Sequence, residues 1–119
     1  MSSRELQDRT QRFAVAVVRF SAKSPKQEPL SFILLQLMRA ATSVGANYRA
    51  TCRSRSRPEF IARLGIVCEE ADETVYWLEI LGKSDVGNSR DLQPLLQEAR
   101  ELTAIFSTSV RTARQRLAR

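Results

Sequence analysis

The sequence contains no histidine, which is its most informative absence. Imidazole is the commonest general base in enzymes, a member of the usual Ser and Cys triads and a frequent ligand of transition metals. The two cysteines, Cys52 and Cys68, fall inside helical patterns and are interpreted as free thiols rather than as a disulfide framework. We therefore expect a protein without catalytic residues, without a metal site and without a cofactor.

Long apolar runs are absent as well. No segment approaches the roughly 20 apolar residues needed to cross a bilayer, and residues 1–8 lack the apolar region of a secretory signal. We expect a cytoplasmic protein that makes no membrane contact. A length of 119 residues with 43% hydrophobic residues suits one domain, spanning residues 1–119, with a single core.

Strand-like alternation is also missing, whereas apolar residues recur at spacings of three and four along most of the chain. The pattern predicts helices at about residues 4–23, 29–53, 58–81 and 90–117. Pro29 and Pro58 suit the first turns of the second and third helices, and residues 82–89 contain the clearest turn. Four helices joined by short loops predict an all-α fold, an antiparallel up-down-up-down four-helix bundle in which Leu117 extends the last core face.

Positive charge is concentrated in the first half of the chain. The net charge is +6, and residues 1–60 hold 11 Lys or Arg against 4 Asp or Glu. This excess favours a polyanionic partner such as RNA or DNA, although it also fits a solvated helix end that serves solubility alone. Arginine suits bidentate phosphate contact. The candidate nucleic-acid-binding residues are Arg49, Arg53, Arg55 and Arg57, with Arg12, Arg19 and Lys23 on the first helix.

The third helix carries a second stripe, on the side away from its core face. It consists of Ile66, Glu70, Glu73, Trp77 and Ile80, at spacings of four, three, four and three. A helix in a monomeric bundle needs one apolar face, so Ile66, Trp77 and Ile80 are predicted to lie in an oligomer interface. The alternative is that Trp77 lies under a loop or in a wide core.

Polar residues of the second helix follow one another at four-residue spacing as Arg39, Ser43 and Asn47. Glu70 and Glu73 are their natural complement on the third helix, which predicts a structural polar network. Paired carboxylates can also perform acid-base chemistry, but the di-metal bundle pattern requires histidine. Gly45, in the same stretch, is expected to allow close approach of another helix, with a kink as the alternative.

Four motifs resemble a known family of four-helix bundles, first noticed as proteins encoded in 23S rRNA intervening sequences. They are Asp8-Arg-Thr-x-x-Phe13, Gln36-Leu-x-Arg-Ala-Ala-Thr-Ser-Val-Gly-Ala-Asn-Tyr48, Ser56-Arg-x-Glu-Phe-Ile61 and Glu69-Glu-Ala-Asp-Glu-Thr-x-Tyr-Trp-Leu78. The family is related to the accessory proteins of diversity-generating retroelements. The resemblance implies a protomer of a homo-oligomeric ring, with pentamers the known form, and related proteins bind nucleic acid through a basic surface. The Arg53-Ser-Arg-Ser-Arg57 run departs from the family pattern.

Together these patterns predict a non-enzymatic oligomeric bundle that binds RNA or other nucleic acid through an arginine-rich surface, as a scaffold or accessory factor. The alternative function is a protein-protein assembly module without a nucleic-acid role, whose positive charge serves solubility.

Overall fold

Four α-helices form almost all of the chain that the computed structural model describes, namely residues 1–86 and 89–118. They are α1, Ser3–Lys23; α2, Leu30–Thr51; α3, Arg57–Ser84; and α4, Ser89–Ala118. No strand occurs within these ranges. The predicted all-α class and the four helices are therefore confirmed.

Serine residues begin two of the helices. The hydroxyl of Ser2 accepts a hydrogen bond of 3.1 Å from the backbone N–H of Glu5, and that of Ser56 accepts one of 3.2 Å from Glu59. Each bond satisfies a donor that the first turn leaves without an intrahelical partner. Pro58 lies in the first turn of α3 as predicted, because its missing N–H costs nothing there. Pro29, in contrast, is the residue that precedes the first turn of α2.

The predicted helix ends need two corrections. α2 ends at Thr51, two residues early, because the backbone tightens into a turn in which the N–H of Arg53 bonds to the carbonyl of Ala50. α3 continues through Gly82 to Ser84 and ends where Asp85 adopts a left-handed conformation, with φ 58°. Gly87 and Asn88, which belong to the predicted turn, lie outside the described residues.

The helices follow one another around a shared apolar core. α1 packs against α2 and α4, and α3 packs against the same two helices. The largest side chains removed from solvent include Leu37, Leu64, Leu78 and Phe106. Leu117 was predicted to continue this core but is 52% exposed, because the last turn of α4 extends beyond its final buried residue, Ala113. None of the helices in the described ranges is long and apolar enough to span a membrane.

Gly45 of α2 lies close to Thr10 of α1. A Cβ atom at this position would lie 3.2 Å from Oγ1 and 3.4 Å from Cβ of Thr10. Thr10 is fully buried, and its hydroxyl donates to the carbonyls of Leu6 and Gln7, so it has little freedom to move. The expectation that Gly45 allows close helix approach is confirmed, and α2 is a continuous helix across this position.

Two glycine substitutions should therefore have different effects on stability. Gly65 lies in α3 with nothing within 4 Å of an added Cβ, so Gly65→Ala should raise the free energy of unfolding by about 1 kcal/mol through helix propensity. Gly45→Ala should fall short of that gain or destabilise the protein, because the methyl group crowds Thr10. Urea unfolding followed by circular dichroism measures both, and equal gains would contradict the proposed contact.

Candidate nucleic-acid interface and assembly face

Four arginines meet where α2 ends and α3 begins. We call Arg49, Arg53, Arg55 and Arg57 the arginine cluster. Arg49 lies in the last turn of α2, Arg53 and Arg55 lie in the connection, and Arg57 is the first residue of α3. Hydrogen bonds hold the connection in shape, since the hydroxyl of Ser54 donates to the carbonyl of Thr51 at 2.7 Å. The cluster therefore projects from a short and well-bonded turn.

The charge of the arginine cluster is not neutralised locally. The four side chains are exposed, and along residues 1–86 and 89–118 none of their guanidinium groups has an ion-pair partner. Glu59, the acidic residue of this turn, pairs with Arg63 at 2.9 Å and accepts the backbone N–H of Arg55 at 2.8 Å. The positive end of the α3 dipole adds to the potential near Arg57. The turn can therefore attract phosphate oxygens.

The other predicted nucleic-acid residues lie elsewhere. Arg12, Arg19 and Lys23 are exposed on α1, but none of them lines the groove between α1 and α2 that contains Arg49. At 100° per residue they are turned roughly 100° around the helix from that groove, on the side of Arg9. They form a separate basic strip, so the structure does not join all seven predicted residues into one surface.

The predicted polar network consists mainly of bonds within α2. Nη1 of Arg39 donates to the side-chain oxygen of Gln36 at 3.1 Å, and Nδ2 of Asn47 donates to the carbonyl of Ser43 at 2.8 Å. Among the described residues, Arg39 forms no ion pair with Glu70 or Glu73. The positive charge of Arg39 nevertheless acts on Glu70, because it opposes the net rise in the pKa of that carboxyl group.

The negative charge of the Glu70 carboxylate is only partly balanced by positive charge around it. Partial burial raises the pKa of its carboxyl group, the charge of Glu73 raises it further, and the opposing effect of Arg39 is smaller. A raised pKa indicates that the ionised carboxylate is disfavoured at this position. Among the described residues no cation forms an ion pair with Glu70, so Arg39 offsets only part of the negative charge at this part of the α2–α3 surface.

A group of apolar side chains crosses from α2 to α3. We call Phe32, Leu35, Ile66, Tyr76, Trp77 and Ile80 the assembly face. Phe32 and Leu35 are each 52% exposed, and Ile66 and Tyr76 are exposed as well. The ring of Trp77 meets Phe32 edge-to-face, with centroids 6.3 Å apart, and Tyr76 lies on its other side at 5.2 Å. Such a large exposed aromatic patch is typical of an interaction surface.

The position of Trp77 has features of both sequence-based interpretations, an interface residue and a residue in a wide core. It is half-buried and packs against the core, yet it is also the centre of the exposed aromatic group. Its Nε1–H is buried and has no hydrogen-bond acceptor in the described part of the chain. An indole N–H usually finds a partner when it is buried, so the surface around Trp77 lacks one polar contact.

Sequence reasoning missed three residues of the assembly face, namely Phe32, Leu35 and Tyr76, and one ion pair. Leu35 follows Phe32 by three positions and Tyr76 precedes Ile80 by four, so helical spacing could have identified both. Arg9 of α1 donates through Nε and Nη2 to both oxygens of Glu98 of α4, at 2.8 and 2.7 Å, and reaches Glu101 at 3.2 Å. No local pattern indicates this pair, because 89 positions separate its partners.

Metal-binding groups are sparse in this molecule. Within residues 1–86 and 89–118, no three His, Cys, Asp or Glu side chains are placed to hold a metal ion. The sulfur of Cys68 lies 3.3 Å from the hydroxyl of Ser107. Cys52 directly follows the last residue of α2 and neighbours Tyr48, whose hydroxyl has a pKa raised by burial.

The fold and its surface define a class, a small basic four-helix protein with an exposed aromatic face. Within that class, the chain belongs to the family of 23S rRNA-intervening sequence proteins, whose model matches residues 4–108. A crystal structure of a protein of unknown function from the S23 ribosomal protein family of Bacteroides thetaiotaomicron is similar, with a TM-score of 0.83 and 27% identity. The match covers 93% of this chain and 99% of that one. No curated protein matches significantly in sequence.

The raised pKa of Glu70 predicts how one substitution depends on pH. A carboxyl group with a higher pKa in the folded state binds its proton more tightly there, so ionisation removes stability as pH rises through 4.5 and then through the raised pKa. Glu70→Gln should therefore be more stable than the parent protein at about pH 7 and should lose that advantage at about pH 3. Thermal unfolding at both pH values tests this. Asp72→Asn, at an exposed site of α3, is the control, and a pH-independent effect of Glu70→Gln would contradict the prediction.

Proposed function

We propose that this protein is a non-enzymatic, self-assembling bundle that binds RNA or other nucleic acid through the arginine cluster. The observation that carries the proposal is the local excess of exposed guanidinium groups. Arg49, Arg53, Arg55 and Arg57 meet at one turn, and none has an ion-pair partner within the described ranges. Guanidinium groups bind phosphate oxygens in pairs of hydrogen bonds, and release of counterions from the nucleic acid then drives association.

The mode of binding follows from the side chains that the cluster lacks. No aromatic residue lies among the four arginines, so stacking on bases does not contribute there. Contacts with phosphates position a nucleic acid without reading its sequence. We expect binding that depends strongly on salt and weakly on sequence, which suits a scaffold or accessory factor acting in the cytoplasm.

The proposed protomer is an antiparallel up-down-up-down bundle. Two contacts support opposite directions for α2 and α3, since Phe32 meets Trp77 whereas Arg63 reaches the carbonyl of Ala50. Two more support opposite directions for α3 and α4, since Glu79 pairs with Arg100 whereas Cys68 lies beside Ser107. Family resemblance favours assembly of such protomers into a homo-oligomeric ring, and the form that the resemblance implies is a pentamer.

A second function is favoured by the assembly face. Phe32, Leu35 and Tyr76 are all more than half exposed, and a different protein could cover them as well as another copy of this chain. In that case the protein is an assembly module for a protein partner, and the arginine cluster serves solubility alone. Salt-dependent binding of nucleic acid distinguishes this function from the first.

Removal of the cluster should weaken nucleic-acid binding more than an equal loss of charge elsewhere. Arg53, Arg55 and Arg57 changed together to Ser should lower affinity for a generic RNA by at least about tenfold at moderate salt. The matched control changes Arg111, Arg114 and Arg116 of α4 to Ser, which removes the same charge from exposed positions. Fluorescence anisotropy at several salt concentrations measures both variants, and equal losses would show that only total charge matters.

Self-assembly should depend on the assembly face. Leu35→Glu should shift the native mass towards the monomer, because a carboxylate cannot be desolvated in an apolar interface. Leu117→Glu is the control, because Leu117 has the same 52% exposure at the far end of α4. Light scattering after size-exclusion chromatography measures the mass. Trp77→Ala should act in the same direction, and an unchanged mass in both assembly-face variants would eliminate this surface as the interface.

A further inference from the structure

A polar groove between α1 and α2 adjoins the arginine cluster and shares Arg49 with it. Its volume is about 580 Å³, and typical ligand sites span roughly 300–1,000 Å³. Arg4, Gln7, Asp8 and Gln11 of α1 form one wall, and Ala46 and Arg49 of α2 form the other. The floor carries no large side chain, because Gly45 lies directly over Thr10 there.

The polar groups of the groove are suited to a phosphodiester backbone. Arg4 and Arg49 are exposed, and in residues 1–86 and 89–118 neither guanidinium forms an ion pair. The side-chain amides of Gln7 and Gln11 offer both donors and acceptors. Asp8 is the acidic member of the lining and opposes an anionic ligand. Two cations and one anion leave the groove net positive.

We propose that this groove holds single-stranded nucleic acid, with Arg4 and Arg49 binding neighbouring phosphates and Gln7 and Gln11 bonding to oxygens of the backbone. This inference rests on the proposed function and specifies the path and form of the ligand. Packed helix axes lie roughly 8–10 Å apart. A duplex is wider than its own major groove, which measures about 12 Å, so it cannot enter a groove between two packed helices. A duplex can still contact the exposed arginine cluster.

Asp8 provides a test in which binding increases. Asp8→Asn removes the negative charge from the lining and keeps the size of the side chain. It should bind a labelled single-stranded 12-mer about threefold more tightly, with no change for a hairpin duplex of matching sequence. A gain of affinity for one probe cannot result from misfolding. Equal gains for both probes, or no gain, would overturn the inference.

Ala46 provides the complementary loss of binding. Ala46→Glu places a carboxylate in the groove and should weaken single-strand binding about tenfold. Ala46→Gln introduces an uncharged side chain of the same size as glutamate, and its affinity should stay within about twofold of that of the parent protein. Arg4→Gln should lower the salt dependence of single-strand binding by about 0.7 in the slope of log affinity against log salt. All variants are compared as the native assembly, with circular dichroism confirming the helices.

The same measurements separate failure of the groove from failure of the proposed function. If the parent protein binds neither probe, both proposals are wrong. Suppose instead that the parent protein binds both probes and that changes in Arg53, Arg55 and Arg57 weaken both. If Asp8→Asn and Ala46→Glu then have no selective effect, the proposed path through the groove is wrong and binding by the arginine cluster stands. Selective effects on the single strand support both proposals.

Discussion

The contact between Gly45 and Thr10 is the constraint on which the arrangement of α1 and α2 depends. Thr10 is fully buried, and its hydroxyl bonds to two carbonyls of its own helix, so this buried hydroxyl is satisfied beneath α2. Any side chain larger than hydrogen at position 45 would press on Oγ1 at 3.2 Å or less. The close contact therefore sets the depth of the groove and brings the first turns of α1 near Arg49. Packing inside the bundle thus determines which charges meet on its surface.

The charged residues serve different purposes according to their partners. Arg9 is partly buried and bound through two donors to Glu98, a geometry that gives a strong and directional contact between α1 and α4. Arg63 and Arg100 also have carboxylate partners, at exposed positions where such pairs add little stability. The arginine cluster has no such partner in the described chain. Its charge therefore contributes nothing evident to the fold and remains available for a ligand.

Local sequence patterns predicted the helices well and the side-chain contacts poorly. Three- and four-residue spacing identified all four helices, and Pro58 indicated where α3 begins. The predicted end of α3 is three residues too early, because Gly82 suits a turn whereas the chain turns at Asp85. Spacing also put Ser43 and Asn47 on one face, but it could not indicate that the amide of Asn47 bonds to the nearest carbonyl of its own helix. Short polar side chains often make such local bonds.

Contacts between distant residues were beyond the reach of pattern reasoning for a different reason. The Arg9–Glu98 pair depends on which helices become neighbours and on the rotamers of two long side chains. The groove at Arg4 and Arg49 depends on how closely α1 approaches α2. Gly45 indicated a close approach, but nothing in the sequence indicated which helix makes it. The candidate site was thus predicted as a list of residues, and its division into a cluster, a groove and a separate strip came from the packing.

The aromatic part of the assembly face, around Phe32 and Trp77, and the arginine cluster lie at different ends of α2, and this separation bears on the proposed binding. Phe32 lies near the start of α2 and Arg49 near its end, 17 residues apart, which corresponds to about 25 Å along the helix. In the proposed oligomer, a contact centred on Phe32, Leu35 and Trp77 would leave the arginine cluster uncovered. Each protomer of the proposed oligomer would then contribute another set of guanidinium groups. Weak contacts with phosphates at one cluster become strong when several clusters engage one nucleic acid, because later contacts are intramolecular. Under the proposed function, assembly through the apolar face and binding through the basic turn would therefore reinforce each other.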